Sequence, residues 1–218
     1  MIEGGIWTPP ATTRRKISHT TLSATASVSG LIMAAFVLVH ALGNLKIFQS
    51  HDDFDAYAHW LRHAFAPVLP AGTLLWVFRL TLTLTVLAHL WAVTTLWVRG
   101  RSGNHPKKRW RRARPATCMM PTGIIIAAFI IFHLFDLTIG ASGSPAGNLT
   151  HSLAQPLRQG IYILALLALA PHLAHGIKAA ASGLGVTNPT ALRWAGHIGI
   201  AVAVLVTGIN LAVATLGQ

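Results

Sequence analysis

Runs of Leu, Ile, Val and Ala dominate the chain, broken by short polar segments instead of alternating with polar positions. Five runs, near residues 20–47, 72–98, 119–140, 157–182 and 193–216, are long enough to cross a bilayer. About 20 helical residues suffice for roughly 30 Å of hydrocarbon. In lipid each span must satisfy its own backbone polar groups, so a run with few breakers predicts a helix. The expected fold class is all-α, an integral membrane five-helix bundle in which residues 1–218 form a single domain. The segment Phe54–Pro70, with His59, Trp60 and His63, predicts a short interfacial helix between the first two spans. The first run is too long for a signal peptide, follows a polar arm of about 20 residues and precedes no clear small-residue cleavage site, so it is expected to stay in the mature protein.

Composition agrees. The 218 residues are 53% apolar and 10% charged, where a soluble domain carries about 25% charged residues. The formal net charge of +12 is unevenly placed. Arg14, Arg15 and Lys16 precede the first span, and the connection from Arg99 to Arg114 holds eight basic residues and no acidic one. Lys178 and Arg193 flank the last connection. On the alternate side Lys46 and Arg62 are offset by Asp52, Asp53 and Asp55, and Arg158 stands alone. The positive-inside rule therefore predicts a cytoplasmic N-terminus and an external C-terminus, which five spans allow. The cluster from Lys107 to Arg114 reads as a topology signal that meets anionic lipid or an acidic partner, not as a nucleic-acid site. The single cysteine, Cys118, excludes an internal disulfide and reads as an ordinary helix-edge residue; without C-x-x-C-H, covalent c-type haem is excluded too.

Two spans are near copies. SGLIMAAFVLVH runs from Ser29 to His40 and TGIIIAAFIIFH from Thr122 to His133, with Gly30, Phe36 and His40 matching Gly123, Phe129 and His133. Each copy is followed by a span with its own histidine, His89 in TVLAHLW and His175 in PHLAHGI. The repeating unit is a helix pair carrying one inward histidine per helix. Of twelve histidines, His19, His51, His59, His63, His105 and His151 fall in connections, and His40, His89, His133, His172, His175 and His197 in spans. Ionisable residues inside a membrane are expensive and usually functional. The topology puts His40 and His133 in the outer half and His89 and His175 in the inner half. A pseudo-twofold axis along the membrane normal would bring each pair face to face.

Two facing imidazoles fill both axial positions of a haem iron, which is then closed to small ligands and suited to electron transfer. The expected cofactors are two haem b, one per depth. A ligating imidazole needs an acceptor for its other N–H. The carbonyls four residues earlier are candidates: Phe36 for His40, Thr85 for His89, Phe129 for His133 and Pro171 for His175. Gly30 and Gly123 lie ten residues before a ligand, about 15 Å away and level with the other centre. They would admit a porphyrin edge there, or serve close helix packing. Arg79 and Lys46 are candidates for an outer propionate, with Asp136 as an alternative partner of Arg79. His172, one turn from His175 but about 60° off its face, is a polar contact of the inner haem or a decoy.

SGLIMAAFVLVHALGNLKIF, the VLAH of His89, AFIIFHLFDLTIG and HLAHGI together resemble the single-chain, five-helix, two-haem cytochrome b of succinate:quinone oxidoreductases, the last two the actinobacterial type especially. The resemblance runs from about Ser18 to the last span. It implies that His40 and His133 ligate the distal haem and that His89 and His175 ligate the proximal one. It also implies a multi-pass subunit of the inner (plasma) membrane with no catalytic residue of its own. Succinate chemistry would lie on a cytoplasmic flavoprotein carrying FAD, relayed by an iron–sulfur partner, with the basic 99–114 connection in the docking surface and menaquinone as acceptor. A higher oligomer of the complex stays open. One departure stands out: some members carry a glutamate two residues before the fourth-helix ligand, where this chain has Leu173, which puts a compensating proton path by that route in doubt. The quinone site is expected either at Phe54–Pro70 or near the inner haem. Two other functions fit parts of the pattern: a cytochrome b of a hydrogenase or formate dehydrogenase, and a haem-free transporter with a histidine relay.

Overall fold

The computed structural model describes residues 17–101, 114–139 and 143–217. Among them there are helices and no strand. Helix α1 (His19–Asn44) continues as a 3₁₀ turn (Leu45–Phe48) and is followed by α2 (His51–His63) and α3 (Thr73–Arg101). Helix α4 (Arg114–Leu134) runs into a π-helical turn (Phe135–Ile139), then come α5 (Pro145–Leu153), α6 (Pro156–Gly183) and α7 (Pro189–Leu216). Five of them, α1, α3, α4, α6 and α7, are long and apolar enough to cross a membrane, and the chain is accordingly a multi-pass helical membrane protein.

Local chemistry sets the ends. Ser18 Oγ accepts from the Thr21 N–H and caps α1, and Ser50 Oγ caps α2 through the Asp53 N–H at 3.0 Å. Helices α5, α6 and α7 each begin on a proline, Pro145, Pro156 and Pro189, at the position where a missing N–H is harmless. Gly185, at φ +94°, turns the chain just past α6, a conformation that a side chain disfavours.

The short helices α2 and α5 connect spans at the same end of the bundle and pack on each other. Asp55 Oδ1 accepts the Ala146 N–H at 2.8 Å, so α2 supplies a carboxylate to the first turn of α5. The interfacial helix expected within 54–70 is thus present as α2, shifted to begin at His51. Its counterpart α5 gave no sequence signal, because its nine residues are too short to show a period.

Helix α6 is the hub: it packs on α7, α4 and α1, and α1 packs in turn on α3 and α7. Gly199 makes the α6–α7 contact close, for a Cβ there would meet the Ala174 carbonyl oxygen at 2.6 Å. Leu173, Ala203, Val206 and Ala41 form a core between α1, α6 and α7. A second core, with Ile47, Leu149, Leu153, Tyr162 and Val213, lies under α2 and α5. Helices α3 and α4 are different. Only Thr85 and Ala92 of α3 are buried, and no described residue of α4 is. The two do not pack extensively on one another. The basic residues from Lys107 to Arg112, like Arg14, Arg15 and Lys16, lie outside the described residues.

Candidate functional site

Four histidines, His40 on α1, His89 on α3, His133 on α4 and His172 on α6, stand at two levels. Toward the α2/α5 end, the His40 and His133 rings have centroids 6.1 Å apart and planes nearly perpendicular at 82°. Each ring is stacked on the phenylalanine one turn earlier, Phe36 at 5.6 Å and Phe129 at 5.5 Å. This is the consequence of the matching F-x-x-x-H spacing, which puts both rings on one helix face.

The second level lies at Gly30 and Gly123, ten residues before His40 and His133 and so about 15 Å along the helices. The His89 ring fills the place of a Gly30 side chain, with Cε1 3.2 Å from where its Cβ would stand. The His172 ring does the same at Gly123, at 3.3 Å. What approaches each glycine is therefore an imidazole from the neighbouring helix. His89 Nδ1–H donates to the Ala26 carbonyl at 3.0 Å and to Ser29 Oγ at 3.1 Å. His172 Nδ1–H donates to Thr122 Oγ1 at 3.1 Å. Ser29 and Thr122 can accept because their own protons go to the Thr25 and Cys118 carbonyls, at 2.6 Å each. Both rings are thus held by Nδ1, which leaves Nε2 with its lone pair.

The expected fourth ligand is His175, and here the geometry differs. His175 turns its Nδ1 back to the Pro171 carbonyl of its own helix at 2.8 Å, the acceptor the sequence assigned to it. It is His172 that shares the setting of His89, a hydroxyl at Nδ1 and a glycine against the ring. The sequence pairs His89 with His175 because AH occurs in both TVLAHLW and PHLAHGI. Matching the HL of His89-Leu90 to His172-Leu173 gives the register that the structure has, and it puts Ala92 opposite His175.

Two of the other acceptors, those of His89 and His133, also differ. The partner of His89 is on α1 and not Thr85, and His133 Nδ1–H donates across to Tyr162 Oη on α6 at 3.2 Å. Tyr162 in turn donates to Asp136 Oδ2 at 3.0 Å, Ser152 donates to the same oxygen, and Arg158 pairs with Asp136 Oδ1 at 2.6 Å. The Asp136 side chain is 2% exposed. Its ionic partner is Arg158, so the alternative pairing with Arg79 does not occur. Arg79 is exposed and lies over the Trp76 ring at 5.1 Å. Lys46 bonds Gln49 at 2.9 Å. Neither cation touches the histidine pairs. His197 is exposed on α7 beside Trp194.

The donor set limits what can bind. Among the described residues no three His, Cys, Asp or Glu side chains converge as a bare transition-metal site requires. The histidines come in twos. A pair suits a metal that brings its remaining donors, as a porphyrin brings four nitrogens. A metal–imidazole bond of about 2.0 Å and about 1.1 Å from nitrogen to ring centre put two axial imidazoles about 6 Å apart, centre to centre, and the His40–His133 separation of 6.1 Å matches. Helices α1 and α4, and α3 and α6, do not pack extensively on each other, and His40 is exposed despite its place between helices.

No family model, no curated protein and no solved structure matches this chain.

Proposed function

We propose that the chain is a two-haem b membrane cytochrome and serves as the anchor of a succinate:quinone oxidoreductase. The His40–His133 pair would hold one haem and the His89–His172 pair the other, with His172 replacing His175 as the fourth ligand. The observation that carries this reading is the separation of 6.1 Å between two imidazoles on helices that otherwise hardly touch. Bound there, each haem supplies a one-electron iron couple closed to small ligands.

The residues of the chain supply the rest. Ser29 and Thr122 fix the tautomer and orientation of His89 and His172, and Tyr162 does so for His133. The five spans would hold the two haems at levels about 15 Å apart along the bundle, a spacing suited to electron transfer across part of a bilayer. Sequence likeness supports the further assignment: a flavoprotein with FAD and an iron–sulfur protein on the cytoplasmic side, and menaquinone as acceptor. Leu173 stands where some relatives of that type carry glutamate. With His172 as ligand the corresponding position is Ala170, equally unable to carry a proton.

Affinity purification of the tagged chain from its own membranes tests the reading. It predicts co-purification of a flavoprotein and an iron–sulfur protein, and reduction of a b-type spectrum by succinate. A nickel or molybdenum protein in their place, with reduction by hydrogen or formate, would reassign the chain to another oxidoreductase. A colourless protein would point to a histidine relay without haem.

A further inference from the structure

The two histidine pairs have different surroundings. At the Gly30/Gly123 level both rings donate to neutral groups, His89 to Ser29 Oγ and the Ala26 carbonyl and His172 to Thr122 Oγ1. At the other level His133 donates to a phenol whose own proton is given to a buried carboxylate. Asp136 is fixed by three donors, Tyr162, Ser152 and Arg158. It lies in the π-helical turn that follows α4, three residues beyond His133, and such turns commonly mark functional positions.

Resting on the reading above, we propose that Tyr162 is a positioning residue that holds down the reduction potential of the His40/His133 centre, with Asp136 polarising it. A phenol that donates to a carboxylate is a better acceptor, because linked hydrogen bonds polarise one another. A stronger acceptor at Nδ1–H draws that proton outward and makes Nε2 a more basic ligand. A more basic ligand favours the ferric over the ferrous state. Arg158 would act in the opposite sense through its charge, but Asp136 binds it at 2.6 Å and offsets it. Tyr162 is held independently of its hydroxyl, edge-on to Phe129 at 5.1 Å and to Phe132 at 6.0 Å. Removal of the oxygen should therefore leave the ring in place.

The test is a potentiometric titration of the haem absorption of the purified full-length chain with its partners, as wild type, Tyr162→Phe and Asp136→Asn. Tyr162→Phe should keep two haems per chain, raise the midpoint of one and leave the other where it is. Its low-spin ferric resonance should move for the same haem alone. Asp136→Asn should raise the same midpoint at least as far, since it also leaves Arg158 uncompensated. Two retained haems with unmoved midpoints in Tyr162→Phe, equal shifts in both, or loss of a haem would each overturn the tuning role. A wild type without haem would instead overturn the reading on which it rests.

Discussion

The distinction between His172 and His175 rests on one turn of helix. His172 meets Thr122 and Gly123 as His89 meets Ser29 and Gly30, while His175 bonds the Pro171 carbonyl of its own helix. Replacing His172 with alanine should lower the haem content from two to one per chain, and replacing His175 should leave it at two, as judged by pyridine haemochrome against total protein. The glycines give an independent check. A Cβ on Gly30 would stand 3.2 Å from the His89 ring, close enough to force the ring to move. Gly30→Ala should therefore broaden or shift the ferric resonance of one haem while that of the His40/His133 centre stays the same. The paired S/T-G-…-F-x-x-x-H motif made His40, His133 and both glycines legible in the sequence. Partners of imidazoles were not legible where they come from another helix: Ala26, Ser29 and Tyr162 follow from packing, which periodicity within one helix does not report.

At the scale of elements, the end of the bundle with α2 and α5 is held by specific polar contacts over a small apolar core. The Asp55 carboxylate takes the first free N–H of α5, that of Ala146, so Asp55→Ala should cost about 1 kcal/mol, the usual worth of a lost cap. Asp136→Ala should cost more. Breaking a fully buried ion pair costs roughly 3–5 kcal/mol; with Arg158 37% exposed, on the order of 2 kcal/mol is expected here. Asp136→Ala combined with Arg158→Ala should cost less than the sum of the two, because no charge is then left stranded. Unfolding of the detergent-solubilised variants, followed by tryptophan fluorescence, measures both. The five long helices were legible from apolar length alone, with ends within a few residues; α7 begins at Pro189 instead of near 193 because Asn188-Pro189 forms its cap. The π-helical turn was not legible, since nothing in FDLTI distinguishes a wider turn from an ordinary one.

For the molecule as a whole, the spans and the short helices put the N- and C-terminal ends of the bundle on opposite faces, because an odd number of long helices separates them. The basic residues at the face away from α2 and α5, among them Arg99, Arg101 and Arg193, predict that face to be cytoplasmic. A reporter active only outside the cytoplasm should be active when fused after Gln218 and silent when fused before Met1. The proposed two-haem reading requires two levels of paired imidazoles that face one another across the bundle. That need makes the haem-to-protein ratio of the purified chain the most direct measurement. Two b haems per chain, falling to one when His133 is replaced by alanine, is the predicted result; a purified, folded chain with no haem, or with one that survives loss of His133 and of His172 alike, would contradict it.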